Sequence, residues 1–95
     1  MDQRIGIIDY GVGNIKSVYF AVEAAGGNPF LITQPEELSA ADSLILPGVG
    51  AFAHTASAFA KSGLRESTLE TIASGKPVLG ICVGMQLLFE ESHEF

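Results

Sequence analysis

The sequence predicts an α/β domain in which an open parallel sheet carries helices on both faces. Two observations support this class. Short apolar runs alternate along the chain with longer segments that have helical periodicity. Turns that contain glycine or proline separate the two kinds of segment. Such regular alternation of strand and helix is typical of parallel sheets with right-handed crossovers.

The first strand is expected at residues 4–9, a β-branched run that suits a buried parallel position. A glycine-rich turn follows at residues 10–13, and Asn14 is expected to cap the next helix at its amino end. Gly26 and Gly27 are expected to end this helix. Apolar residues at helical spacing form one face of the helix, namely Ile15, Val18, Tyr19 and Val22.

The middle of the chain continues the alternation. Residues 29–33 predict a second strand, residues 35–38 at most one short helical turn, and residues 43–46 a third strand. A helix that ends near Gly63 follows the third strand. The apolar positions that indicate this helix are Phe52, Ala56, Phe59 and Ala60.

The last part of the chain predicts a helix at residues 64–74 and a fourth strand at residues 77–81. Cys82 follows this strand directly, and residues 85–91 are expected to be helical and largely buried. Four parallel strands make a small sheet, so we expect residues 1–95 to be the amino-terminal part of a longer domain. The edge of such a sheet also predicts self-association.

Composition excludes several classes of function. The 95 residues suit one small domain, and 5 Lys+Arg against 11 Asp+Glu give a net charge of −6. An acidic chain argues against nucleic acid or an anionic membrane as partner. With 47% hydrophobic residues, disorder is not expected, and no apolar run reaches the length of a membrane span. One cysteine and no secretory leader predict a cytoplasmic location.

The sharpest chemical signal lies at residues 80–84, where Cys82 stands between two glycines in the pattern Gly-x-nucleophile-x-Gly. A strand before it and a helix after it are the context that a nucleophile elbow requires. The helix amino terminus is expected to lower the pKa of the Cys82 thiol, and the N–H of Val83 to point where an oxyanion forms. The simpler alternative is a buried cysteine that acts as a small hydrophobic residue. The flanking glycines favour the nucleophile.

A second signal is the Pro-Gly-Val-Gly segment at residues 47–50, after the third strand. If strands three and four are neighbours, this loop lies beside Cys82 at the carboxyl edge of the sheet, where ligands bind in such folds. The two glycines allow the Val49 peptide to reorient and to offer a second N–H donor. Taken alone, the segment is an ordinary turn.

The remaining candidates are weaker. Residues 10–16 contain two glycines of a dinucleotide fingerprint, but Lys16 occupies the place of the third, so no nucleotide cofactor is expected. His54 and His93 are expected to face solvent, and no metal site is expected because no ligand spacing is present. A solvated helix end explains the acidic residues Glu90, Glu91 and Glu94.

Four sequence motifs occur in the following order along the chain: Asp-Tyr-Gly-Val-Gly-Asn at 9–14, Leu-Pro-Gly-Val-Gly-Ala-Phe at 46–52, Gly-Lys-Pro at 75–77 and Leu-Gly-Ile-Cys-Val-Gly-Met-Gln-Leu-Leu-Phe at 79–89. Together they resemble the glutaminase subunits of imidazole glycerol phosphate synthases. These subunits are class I glutamine amidotransferases with a flavodoxin-like fold and a catalytic triad. The resemblance covers nearly the whole chain, and its first two segments are the most specific.

The resemblance implies that Cys82 attacks the side-chain amide of glutamine while the amides of Val49 and Val83 hold the oxyanion. It implies that ammonia passes to a barrel-shaped cyclase subunit, which closes the imidazole ring of a histidine precursor. The loops that bear Asn14 and Val49 would face that partner. The positions that match the family's glutamine site are Gly48, Gly50 and Gln86.

The family's catalytic His-x-Glu pair is missing from these 95 residues, since His93 and Glu94 are adjacent. We therefore predict no meaningful glutaminase activity for this chain alone. Three alternatives remain open. They are a paralogous subunit that supplies ammonia in surface-sugar biosynthesis, a flavodoxin-like binding or regulatory module whose cysteine is structural, and a related cysteine-elbow hydrolase without a glutamine site.

Overall fold

The computed structural model describes residues 3–11, 14–48, 52–81 and 84. Four parallel strands form one sheet in the order β2-β1-β3-β4. The strands are β1 (Arg4–Ile8), β2 (Asn28–Ile32), β3 (Ser43–Leu46) and β4 (Val78–Gly80). The helices in these ranges are α1 (Ile15–Ala24), α2 (Phe52–Lys61), α3 (Arg65–Ala73) and a 3-10 helix at Pro35–Ala40.

Strand β1 lies inside the sheet because its residues are apolar on both sides. Ile7 and Ile8 point to opposite faces, and both are fully buried. The register places Ile7 opposite Leu31 of β2 and opposite Ile45 of β3. All the strand pairs are parallel, which confirms the predicted sheet.

Helix α1 covers one face of the sheet. Its predicted apolar side is confirmed, since Ile15, Val18, Tyr19 and Val22 pack in the core that also contains Ile7 and Ile45. The Asn14 side chain accepts a hydrogen bond from the Ser17 N–H at 3.3 Å, so the predicted cap is present as well.

The other face is covered by α2, by the residue that precedes α3 and by the 3-10 helix. Phe59, Leu64 and Leu38 from these segments pack with residues of the strands, among them Ile8 and Leu46. Together with α1, this arrangement confirms the predicted α/β fold with helices on both faces.

The helix predicted after the third strand is confirmed as α2, and Ala60 lies within it. Ala56 and Phe59 pack on the core, but Ala60 is exposed. Ala60 follows Phe59 by one residue, a step of about 100° around the helix, and this turns it away from the sheet.

The structure also corrects the predicted bounds of several elements. By one residue at an end, β1 is shorter than predicted, β2 is shifted towards the amino terminus, and α3 is shorter at both ends. The helical segment after β2 is longer than the predicted turn, because the Glu37 carboxylate accepts hydrogen bonds from the N–H groups of Thr33 and Gln34 and anchors its start. Strand β4 is shorter than predicted and ends at Gly80. The helix predicted for residues 85–91 lies outside the described residues. In the described ranges, no helix has the length and apolar character needed to cross a membrane.

Candidate functional site

Three neighbouring strands end at the edge where the sequence predicted a site. Because β1, β3 and β4 are adjacent and parallel, their carboxyl ends lie side by side, and a loop leaves each of them. The predicted contact between the third and fourth strands is confirmed by two flanking backbone hydrogen bonds. Leu44 N–H donates to Pro77 O at 2.9 Å, and Ile81 N–H donates to Leu46 O at 3.1 Å.

The two glycine-rich segments meet at Gly48 and Gly84. A Cβ atom built on Gly48 would lie 2.7 Å from the backbone nitrogen of Gly84. A Cβ atom built on Gly84 would overlap the carbonyl oxygen of Leu46 and lie 3.2 Å from the carbonyl carbon of Pro47. Neither position has room for a side chain, so these glycines allow the chain after β4 to lie directly against the end of β3.

A backbone hydrogen bond links the residue after β4 to Gly84. The Gly84 N–H donates a hydrogen bond to the Ile81 carbonyl oxygen at 2.9 Å. The bond spans the two positions between them, Cys82 and Val83, which lie outside the described residues. The bond holds Ile81 and Gly84, on either side of the predicted nucleophile, close together.

Tyr10 joins the loop after β1 to the loop after β3. Its hydroxyl donates a hydrogen bond to the Pro47 carbonyl oxygen, and its side chain is only 7% exposed. The ring packs against Phe59 with 5.2 Å between the centroids. Burial raises the pKa of Tyr10 to about 12, so the hydroxyl keeps its proton and remains a donor across the physiological range.

The loop after β1 is held by its own polar side chains. Asp9 Oδ1 accepts a hydrogen bond from the Gly11 N–H at 3.2 Å. Asn14, whose side chain caps α1, is exposed at the same edge of the sheet. This loop therefore presents a surface residue at the carboxyl edge of the sheet.

Comparison with known proteins decides the family. Residues 18–94 match the family described as the CobB/CobQ-like glutamine amidotransferase domain. The chain belongs to this family. The close approach of Gly48 and Gly84 lies at the carboxyl edge of the sheet, where ligands bind in open parallel sheets.

Curated relatives give a finer comparison. The chain is 48% identical to imidazole glycerol phosphate synthase subunit HisH of Wolinella succinogenes over 91 residues, which are 96% of this chain and 44% of that protein. It is 52% identical to the subunit of the same name from Halalkalibacterium halodurans over 90 residues, or 95% of this chain and 42% of the relative.

A third relative, the HisH subunit of Methanothermobacter thermautotrophicus, is 52% identical over 91 residues, which are 95% of this chain and 44% of the relative. The chain thus spans less than half the length of the curated relatives that it matches. These similarities confirm the resemblance to glutaminase subunits that the four sequence segments indicated.

The structure describes two of the predicted amidotransferase site residues, Gly48 and Asn14, and it brings Gly48 against the chain after β4. His54 is exposed, as expected. In residues 3–11, 14–48, 52–81 and 84, no group of three or more His, Cys, Asp or Glu side chains could hold a metal ion. The other predicted site residues lie outside these ranges, and their roles stay predictions: Cys82, Val83, Val49, Gly50 and Gln86.

Sequence reasoning missed Tyr10, which it treated only as part of a glycine-rich turn. A signal was available, because Tyr10 follows a buried strand at the carboxyl edge. A tyrosine buried there needs a hydrogen-bond partner for its hydroxyl. The sequence could not indicate that the partner is the carbonyl group of Pro47, 37 residues further along the chain.

Proposed function

We propose that this chain is the nucleophile-bearing part of a glutamine amidotransferase subunit of imidazole glycerol phosphate synthase, in histidine biosynthesis. Such a subunit hydrolyses glutamine to glutamate and ammonia, and it passes the ammonia to a cyclase subunit. The observation that carries the proposal is the close approach of Gly48 and Gly84, which joins the two predicted halves of one site. The names of the relatives favour the histidine pathway over surface-sugar biosynthesis.

In the proposed reaction, the Cys82 thiolate attacks the side-chain carbonyl carbon of glutamine. A carbon–sulfur bond forms, and the carbonyl oxygen becomes an oxyanion that the N–H groups of Val83 and Val49 stabilise. The carbon–nitrogen bond then breaks, and ammonia leaves with a proton. Water attacks the resulting γ-glutamyl thioester and releases glutamate and the free thiol.

The contact between the two loops supports this assignment of donors. Two N–H groups can stabilise one oxygen only when both lie about 3 Å from it, so their loops have to touch. Gly48 and Gly84, each next to one proposed donor in the sequence, are in backbone contact. The proposal assigns glutamine binding to Gly48, to Gly50 and to Gln86.

The reaction also needs a base that takes the thiol proton and returns it to the leaving nitrogen. The family uses a His-x-Glu pair for this step, and the 95 residues contain no such pair. We therefore expect this chain alone to release no measurable glutamate from glutamine. The proposed elbow does not require that pair, so the chemical reactivity of the Cys82 thiol remains a valid test.

The proposed partner is a barrel-shaped cyclase subunit that contacts the loops bearing Asn14 and Val49. Asn14 is exposed at the edge where the site lies, which supports this placement. We place the complex in the cytoplasm, because a lone cysteine is typical of a reducing compartment.

Alkylation of Cys82 tests the proposal. It is the only cysteine in the chain, so every labelled thiol is Cys82. The probes are iodoacetamide and a chloroketone analogue of glutamine, both applied near neutral pH to the folded chain and to the chain in urea. We expect folding to increase the iodoacetamide rate on the order of tenfold, because the elbow stabilises the thiolate.

We expect folding to increase the chloroketone rate further, because the analogue also binds the glutamine site. A Cys82→Ser variant controls for labelling elsewhere. Slow labelling of the folded chain that urea accelerates would instead identify a structural cysteine. An equal gain for both probes would identify an elbow hydrolase without a glutamine site.

A further inference from the structure

We propose that Tyr10 is a positioning residue, which holds the Pro47–Gly48 segment against Gly84 and so keeps Gly48 in place at the glutamine site. This inference rests on the proposed function, since it assigns Tyr10 a task in that same site. Tyr10 itself lies in the loop after β1, and the segment that it holds lies at the end of β3.

The hydrogen bond between Tyr10 and Pro47 is the first part of the argument. Pro47 is fully buried, and the Tyr10 hydroxyl donates to its carbonyl oxygen. The loss of the donor to a buried carbonyl group destabilises the folded state unless water or another donor replaces it. Without the hydroxyl, the peptide group between Pro47 and Gly48 is therefore expected to rotate towards solvent and away from Gly84.

The surroundings of Gly48 are the second part. A Cβ atom built on Gly48 would lie 3.1 Å from the Tyr10 hydroxyl oxygen, 3.2 Å from Thr55 Cγ2 and 2.7 Å from the Gly84 nitrogen. Gly48 is thus enclosed by a phenol, a methyl group and a backbone. Of these three neighbours, only the phenol can lose the polar atom that touches Gly48 while the rest of its side chain is kept.

The support of Tyr10 is the third part. Tyr10 follows the central strand β1 by two residues, and its ring packs against the fully buried Phe59. A hydroxyl held by a central strand and a packed ring has little freedom to move, which is what a positioning group requires. Burial also raises the pKa of Tyr10 to about 12, so the anchor does not titrate in the range where a glutaminase works.

Tyr10→Phe is the variant that isolates this role, because it removes the hydroxyl and keeps the ring on Phe59. Tyr19→Phe is the matched control. Tyr19 is the other tyrosine of the chain and packs against the opposite face of the sheet, with α1. Thermal unfolding of both variants shows whether each remains folded.

The first measurement needs no assumption about function. Amide spectra of the chain labelled with ¹⁵N-glycine report on 11 glycines, among which Gly48 and Gly84 are assigned by triple-resonance spectra of the uniformly labelled chain. Tyr10→Phe is expected to shift both amide signals and to leave those of Gly63 and Gly75 in place. Tyr19→Phe is expected to leave the signals of Gly48 and Gly84 unchanged.

The second measurement uses the two alkylating probes. Tyr10→Phe is expected to lower the rate of Cys82 labelling by the glutamine chloroketone by about fivefold, the loss typical of one hydrogen bond. The iodoacetamide rate is expected to stay within about twofold of the parent chain, because the elbow remains intact. A role in stability alone would not separate the two probes.

The outcomes are distinct. If the Gly48 and Gly84 signals are unchanged in a folded Tyr10→Phe chain, Tyr10 does not hold the Pro47–Gly48 segment in place. If the signals shift but the chloroketone rate is unchanged, Tyr10 has no role in the glutamine site. If Tyr10→Phe does not fold, Phe59→Leu, which loosens the ring and keeps the hydroxyl, has to shift the same two signals. Its failure to do so counts against the inference. If folding of the parent chain increases the chloroketone rate no more than the iodoacetamide rate, the proposed function is overturned, and this is seen without any variant.

Discussion

The backbone of Gly84 lies directly against the carbonyl group of Leu46, where β3 ends. A Cβ atom on Gly84 would lie 2.9 Å from the Leu46 carbonyl carbon. The Leu46 oxygen also accepts a hydrogen bond from Ile81, on the near side of the same turn. The position of the chain that carries the predicted nucleophile is therefore set by backbone contact with the neighbouring strand.

Gly84→Ala is expected to lower the free energy of unfolding by about 2–4 kcal/mol, because the new methyl group meets backbone atoms that cannot rotate away. Urea denaturation measures this loss. Gly63→Ala is the comparison, since Gly63 has φ +83° and no atom within 4 Å of a built Cβ, so only the left-handed backbone opposes it. That cost is about 1–2 kcal/mol. A smaller loss for Gly84→Ala than for Gly63→Ala would mean that the turn does not press against β3.

Thr68→Val is expected to leave the free energy of unfolding unchanged or to raise it by up to about 1 kcal/mol. Thr68 is fully buried in α3, and its hydroxyl oxygen has no hydrogen-bond partner among the residues that the structure describes. Valine removes that oxygen and keeps the shape of the side chain.

Thr55→Val provides the matched control. Thr55 is equally buried, but its side chain has an interaction partner, so the same change is expected to destabilise the chain by about 1 kcal/mol. Urea denaturation of both variants measures the two changes in the free energy of unfolding. A clear loss of stability in Thr68→Val would show that its hydroxyl has a partner after all.

Glu37→Gln is expected to change how stability depends on pH. The N–H groups of Thr33 and Gln34 donate to the Glu37 carboxylate at 3.0 and 2.9 Å and lower its pKa. A carboxyl group with a lowered pKa in the folded state stabilises the fold above its unfolded pKa, and this contribution disappears as the pH falls. The parent chain should therefore lose more stability than Glu37→Gln between about pH 6 and about pH 3.

Thermal unfolding across this pH range provides the measurement, with Glu36→Gln as the control for a general change in net charge. Parallel pH profiles for the parent chain and Glu37→Gln would contradict the prediction.

Leu79→Lys tests the predicted self-association at the sheet edge. Strand β4 is an edge of the described sheet, and its Leu79 is 58% exposed. A lysine at an edge disfavours strand pairing, so the variant should remain monomeric at concentrations where the parent chain associates. Sedimentation velocity at several concentrations measures the difference.

Phe20→Lys is the control for Leu79→Lys, because Phe20 is similarly exposed, at 57%, but lies on helix α1. If Phe20→Lys abolishes association and Leu79→Lys does not, the contact runs through α1. A parent chain that is monomeric at all concentrations would contradict the predicted self-association.

Much of the fold followed from local patterns. The apolar spacing of Ile15, Val18 and Val22 predicted which side of α1 is buried, and Asn14 predicted where that helix starts. Local reasoning placed Ala60 in α2 correctly, but it did not indicate which side of the helix Ala60 faces, because alanine packs equally well in a core and at a surface. It also underestimated the 3-10 helix, whose start depends on the hydrogen bonds of Glu37.

The candidate site was predicted only in part. The two glycine-rich segments and Cys82 were recognisable in the sequence because tight turns and elbows demand particular residue types at fixed spacing. The link from Tyr10 to Pro47 was not recognisable, because a phenol hydroxyl can pair with any carbonyl group that the fold brings near it.

The residues alone therefore determined the alternation of strands and helices, the family resemblance and the location of the glycine-rich segments. Only the tertiary structure decided the strand order β2-β1-β3-β4, and with it which loops meet. The physical reason is that helical periodicity and turn chemistry act between residues close together in the chain. Strand neighbours, by contrast, are selected by the burial of two sheet faces at once, and this brings together Gly48 and Gly84 from separate segments.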